Sequence, residues 1–248
     1  MRLISVIIIG LASLTALAQE NSVAEKVTAA MESDVRSEAD VNRDRNRKPV
    51  ETLEFFRMTD DMCVLELLPG GGWYTKLLAP TLRENGALYV ALGTNNVATN
   101  LLTQDGFDHV EVVDVEVEFD RSGPFRTVNV GAFDFGLDDI DLVVTFRNMH
   151  NFTAEGRAHI NSAVFRALRS GGLYGVIDHS RRHMEPMTNE NRRRADVVEI
   201  IRELTQAGFE FVDYSDLHYR PDDELRYEVG RKTVTGNTDR FTLLFRKP

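Results

Sequence analysis

Val64-Leu65-Glu66-Leu67-Leu68-Pro69-Gly70-Gly71-Gly72-Trp73 is an apolar run that breaks into three consecutive glycines, and a helix-compatible segment follows at 73–83. Without a side chain, glycine lets backbone press against a ligand and turn through angles that other residues avoid. A strand, a glycine turn and a helix start form the nucleotide-cradling corner of an open α/β sheet. The stretch therefore predicts an α/β fold with a nucleotide-like cofactor at 70–72.

Outward from this corner, strand and helix signals alternate. Strands are expected at 62–68, 87–92, 110–117, 140–146, 173–177, 209–214 and 240–245. Between them fall helical segments at 73–83, 96–104, 154–168 and 190–207, the longer ones closed by glycines such as Gly171 and Gly208. Strands separated by helix-length segments imply crossover connections and a mainly parallel sheet. The last two strands have no long helix between them, which favours an antiparallel C-terminal partner. Pro49 suits a first helical position at 49–56. The polar, charged stretch 19–48 reads as a helical extension, an exposed helix and a basic connector, leaving 49–248 as the main domain.

The first residues have the form of a secretory signal: Arg2, an apolar core, and Ala16-Leu17-Ala18 as a small-residue cleavage site. The reading is a signal peptide at 1–18 and an exported, periplasmic protein with no membrane insertion after cleavage, since no other stretch approaches spanning length. The formal net charge of −10 argues against nucleic acid, whose phosphates demand clustered cations. The basic runs 43–48 and 192–194 read as solvated helix faces rather than an anion site. Cys63 is the only cysteine, so there is no intrachain disulfide and no cysteine zinc site, and its place in an apolar strand suggests a buried structural thiol.

Arg147-Asn148-Met149-His150-Asn151 follows a continuous apolar strand, where ligand sites of parallel sheets lie. His150 suits a general base or substrate orienter, with Asn148 and Arg147 holding a carboxylate. The alternative is a capping loop that satisfies backbone groups. Asp178 and His179 end the next strand at the same rim, to orient His150 or meet substrate, or else to bind loop backbone. His179 and His183 have helical metal-ligand spacing, but the intervening Arg181 and Arg182 and the lack of a third ligand argue for no metal.

A dinucleotide fingerprint would need glycine at Thr75 and an acid after 87–92; instead Leu92-Gly93-Thr94 follows, so hydride chemistry is disfavoured. The residues resemble the class I methyltransferases, which use S-adenosylmethionine, and most closely an exported group of predicted methyltransferases. Pro69–Tyr74, Thr145–Asn151, Gly171–His179 and Phe241–Pro248 carry that resemblance, which covers nearly all of 49–248. It implies a three-layer, Rossmann-like fold with a seven-stranded, mainly parallel sheet and an antiparallel C-terminal strand. It also implies S-adenosylmethionine as cofactor and methyl transfer to a small-molecule acceptor. Gly70, Gly71 and Gly72 would pass under the cofactor, with Glu66 near its methionine end and Trp73 covering it. Phe133 and Asp134 would meet the adenine. Thr94, with Asn95 and Asn96, stands where most such enzymes have an acid for the ribose. A non-catalytic exported protein that binds a small ligand on the same fold is the competing reading.

Overall fold

The computed structural model describes residues 22–248, so the segment 1–18 lies outside the described residues. The described residues open with four helices, α1 (Val23–Met31), α2 (Glu38–Val41), α3 (Asp44–Arg47) and α4 (Pro49–Phe55). Then come β1 (Cys63–Leu67), α5 (Thr75–Leu82), β2 (Ala87–Ala91), α6 (Asn95–Asn100) and β3 (Val110–Val113). A two-stranded ribbon, β4 (Phe119–Asp120) and β5 (Asn129–Val130), precedes β6 (Ile140–Phe146), α7 (Ala154–Ala167) and β7 (Leu168–Arg181). The chain continues through β8 (Ala195–Asp196), α8 (Val197–Gln206), β9 (Glu210–Ser215) and β10 (Arg240–Arg246).

The main sheet runs β3-β2-β1-β6-β7-β10-β9, with β8 pairing the end of β7 off this path. All neighbours from β3 to β7 are parallel; β10 is antiparallel to both β7 and β9. This is the seven-stranded sheet with an antiparallel C-terminal strand that the sequence led us to expect. Successive β1 side chains serve opposite faces, as strand pleating requires. Val64 joins Leu77, Leu88, Leu53 and Phe56 under α1, α4 and α5, whereas Leu65 joins Ile160, Val164 and Leu204 under α7 and α8. Gly175 has a packing reason: an added Cβ would lie 2.7 Å from the Phe56 ring, so only glycine lets α4 lie flat on β7.

Several elements differ from the sequence reading. The segment before residue 49 is not an exposed appendage. Val27 is fully buried, and capping boxes at Ser22/Glu25 and Ser37/Asp40 fix α1 and α2. Lys26 ties α1 to Asp60 and Glu84 at 2.7 and 3.0 Å. The third strand stops at Val113 because β3 is the sheet edge, where the acids of 114–118 leave the pairing. Helix α8 starts only at Val197, because the Asp196 carboxylate accepts the Val198 N–H at 3.0 Å and caps it there. Strand β7 has 14 residues, nearly three times its apolar run at 173–177. Cys63 is half-buried, at the first residue of β1, rather than interior. Among the described residues no helix is long and apolar enough to cross a membrane.

Candidate active site

Strands β1 and β6 are adjacent, but β1 leads toward β2 on one side and β6 toward β7 on the other. Beyond the carboxyl ends of such a pair the following loops diverge and leave a crevice, the usual ligand site of open parallel sheets. Here a cavity of about 420 Å³ lies there, within the range of small-molecule sites. Strands β1, β2 and β6 each turn through a left-handed residue at their carboxyl ends: Leu68 (φ 53°), Leu92 (φ 62°) and Arg147 (φ 65°). Side chains rarely accept this backbone, and such strain concentrates at functional sites.

One wall is the glycine turn. Gly70 (φ 60°) and Gly71 line the cavity, and an added Cβ at either would meet nothing within 4 Å. Below them the Glu66 carboxylate is buried and accepts the Thr75 hydroxyl at 2.6 Å. Trp73 follows, its indole N–H donating to the Asp40 carbonyl at 3.0 Å and its ring covered by the Arg47 guanidinium at 4.2 Å from the centroid. Tyr74 stacks on Phe146 with centroids 3.4 Å apart, which closes the floor between β1 and β6.

The opposite wall is 147–151. The Asn148 amide donates to the Leu67 carbonyl at 3.3 Å and to the Thr145 hydroxyl at 3.2 Å, so it fastens the β6 loop to β1. Asp178 is fully buried; one oxygen accepts the His150 backbone N–H at 2.8 Å, and the other lies 2.5 Å from His150 Nδ1. A carboxylate only accepts, so Nδ1 carries the proton and Nε2 carries the lone pair. Nε2 is buried and has no protein partner among the described residues, while His150 itself lines the cavity. His179, beside it with ring centroids 5.7 Å apart, bonds the Thr238 hydroxyl through Nδ1 at 2.9 Å. Burial and the nearby His150, Arg240 and Arg147 hold its pKa well below the usual histidine value.

Of the residues singled out from sequence, the structure brings together Glu66, Gly70, Gly71, Trp73, Arg147, Asn148, His150 and His179, with Asp178 directly behind His150. It places four others away from the cavity. Gly72 (φ 77°) faces α6, where an added Cβ would come within 2.5 Å of Leu101, so this glycine serves helix packing. Thr94 opens α6 outside the cavity lining. The Phe133 ring is spent in the core, edge-on to Phe135 at 5.0 Å. Asp134 is exposed and paired with Arg166 at 2.5 Å. His179 and His183 do not share a helix: His179 is in β7, and His183 lies beyond it and faces Asp196 at 3.0 Å. Among the described residues no cluster of three or more His, Cys, Asp or Glu is placed to hold a metal ion.

Sequence reasoning missed the third wall, made by Asp40, Arg43 and Arg47. The run 43–48 read as a solvated face, yet Arg47 is buried. The available signal was Ser37-Glu38-Ala39-Asp40, a capping pattern that marks a docked helix start. Asp40 also bonds Lys76 of α5 at 2.8 Å, which holds this wall against the glycine turn.

Burial pushes the Glu66 carboxyl up to about 7, against the opposing pull of Thr75 and Arg47. A carboxyl raised above its unfolded value of 4.5 keeps its proton in the fold while the unfolded chain loses it. Its stabilisation is complete below about pH 4.5 and is lost as pH rises toward about 7. His218, lowered by burial to about 4, acts in the opposite sense. The difference between wild type and Glu66→Gln therefore isolates Glu66. In urea melts from pH 4 to 8, the variant is expected to lack a downward trend worth on the order of 3 kcal/mol. Parallel pH curves for the two proteins would show that folding leaves the Glu66 pKa unchanged.

No protein-family profile matches the chain, and no curated protein matches it in sequence. Solved structures do match in fold. A SAM-dependent methyltransferase from Aquifex aeolicus superimposes with a TM-score of 0.58 at 16% identity, covering 91% of this chain and 98% of that one. The [4+2]-cyclase SpnF gives 0.56 at 15% identity over 82% and 80%. The glycopeptide N-methyltransferase MtfA gives 0.53 at 16% identity over 82% and 96%. At such identities the likeness establishes the fold alone: the three-layer, Rossmann-like sheet of the class I methyltransferases.

Proposed function

We propose that the protein transfers a methyl group from S-adenosylmethionine to a small acceptor, acting, as residues 1–18 imply, outside the cytoplasm. The observation that carries this reading is one crevice with an open glycine cradle on one wall and a carboxylate-oriented histidine, with a free Nε2, on the other. The residues fit the cofactor. Backbone at Gly70 and Gly71 leaves the space that a side chain would fill, and the buried Glu66 carboxyl offers an acceptor whose ionised form a cationic methionine end would favour. Methyltransferases of this fold, one solved with S-adenosyl-L-homocysteine, support the choice.

When bound, the cofactor supplies an activated methyl group, so most of the work left to the protein is alignment of the acceptor. His150 Nε2 receives the proton of an acceptor O–H or N–H. Asp178 keeps the imidazole in the tautomer that can accept it. Arg147 holds the acceptor against the rim, Asn148 fixes to β1 the loop that carries Arg147, and the stacked Tyr74 and Phe146 keep water from entering between the strands.

Calorimetric titration with S-adenosylmethionine and S-adenosylhomocysteine tests the cofactor. Micromolar binding is expected, weakened by about tenfold or more, roughly 1.4 kcal/mol, in Gly71→Val, whose side chain fills the cradle. No heat with either compound would discard the reading.

One observation favours the competing reading, a non-catalytic binder of a small ligand. Strand β2 ends in Leu92-Gly93-Thr94 with no acid for a ribose diol, and Thr94 does not line the cavity. The similarity to a [4+2]-cyclase also illustrates that this fold does not fix one chemistry.

A further inference from the structure

A second cavity of about 380 Å³ adjoins the first and shares Arg43, Arg47, Arg147, Arg193 and His179 with it. Arg240 lines this second cavity but not the first. Five arginines thus line this recess and no carboxylate does, in a chain whose net charge is −10. Charge of this sign, gathered in one concave place against the balance of the whole molecule, marks an anion site.

Four of these five arginines form no ion pair with any described residue. Arg193 is paired with Glu228 at 3.0 Å. Arg47 and Arg147 make no side-chain hydrogen bond or ion pair with any described residue. Arg47 is buried, with the Trp73 and Tyr74 rings against it. Arg240 donates to the Asn46 carbonyl at 2.7 Å, but its Nε is buried without a partner. Burial lowers Arg47 to about 9 and Arg240 to about 10, and the charge of Arg147 adds to both shifts. Asp239 pulls on Arg240 the other way, but one of its oxygens is taken by the Arg220 backbone. Guanidinium groups stay protonated at neutral pH, so these charges repel one another until a counter-anion arrives.

The cofactor proposed above is not that anion. It carries one carboxylate but also an ammonium and a sulfonium, so it adds positive charge. We infer that the methyl acceptor is a small, multiply charged anion, a polycarboxylate or a phosphate ester, whose anionic end lies among Arg47, Arg147 and Arg240 while its reacting end faces His150. The planar guanidinium fork matches carboxylate and phosphate oxygens alike. The word acceptor rests on the methyl-transfer reading; the anion site does not.

Calorimetry with inorganic pyrophosphate and with citrate tests this, the two arms separating phosphate from carboxylate recognition. At least one is expected to bind one-to-one to wild-type protein, and at least tenfold more weakly to Arg240→Gln, with S-adenosylhomocysteine binding alike in both proteins. If Arg240→Gln fails to fold, Arg147→Gln serves for the anion arm. It is also expected to melt higher than wild type in anion-free buffer and to gain less from added anion. Binding of neither anion, or equal binding by wild type and variant, overturns the proposal. Anion binding without S-adenosylhomocysteine binding would instead remove the methyl-transfer reading and leave this site standing.

Discussion

His150→Ala is expected to lower methyl transfer about 10²- to 10⁴-fold, the usual loss when a positioned base is removed. The measure is tritium passed from labelled S-adenosylmethionine to the small-molecule fraction of a cell extract. Binding of S-adenosylhomocysteine should be retained, because the glycine turn belongs to another loop. The expectation rests on the bonding of the imidazole. Nδ1 lies 2.5 Å from Asp178, a residue fully removed from solvent, and Nε2 is left with no protein partner. A buried nitrogen in that state is costly unless a ligand completes it. Asp178→Asn should reproduce most of the loss with His150 still in place. The amide presents a donor toward Nδ1 and drives the proton to Nε2. Wild-type transfer in both variants would return His150 to the role of a loop cap.

The largest stability effect is expected at Asp223. Arg194 and Asp223 form a two-pronged pair at 2.9 and 3.0 Å, both side chains almost wholly buried. Arg194 further donates to the Ser180 and Tyr227 carbonyls, and Asp223 accepts the backbone N–H groups of Leu225 and Asp239. Asp223→Ala leaves a guanidinium buried with no counter-charge, which typically costs about 3–5 kcal/mol. Urea denaturation reads this directly; a loss under about 1 kcal/mol would mean that water reaches the site. Replacing both partners with apolar residues, Arg194→Met with Asp223→Leu, should recover much of the loss, because neither charge is then stranded. The pair pins the 221–239 loop to the end of β7, next to Arg240 and Thr238. A destabilised variant should therefore also lose anion binding.

Much of the architecture was legible in the chain. Ile140 to Phe146 is apolar enough to announce a strand buried on both faces, and the glycines after Leu68 mark the corner of the sheet. Asp178 and His179 were readable as rim residues because the apolar run of β7 ends just before them, although the strand stays buried as far as Arg181. What escaped was set by tertiary contact. Nothing local distinguishes Gly72, which packs on Leu101, from Gly71, which faces the cavity. Arg47 looks like a surface cation until the chain before Pro49 folds across the crevice. Asp134 carries a charge suited to an adenine amine, but Arg166, one helix away, takes it. The start of α8 was misjudged because Arg192, Arg193 and Asp196 fit an amphipathic helix as well as they fit the turn and cap they form.

The placement of β10 has a consequence for biogenesis. This strand is hydrogen-bonded on both sides, to β7 and to β9, with its side chains buried almost throughout. Until residues 240–246 emerge behind the rest of the chain, β7 has an unpaired edge and β9 has no partner in the sheet at all. A nascent chain can therefore assemble the β3-β2-β1-β6-β7 half early but must wait for its seventh strand, an interval in which the exposed edge invites association with other chains or capture by a chaperone.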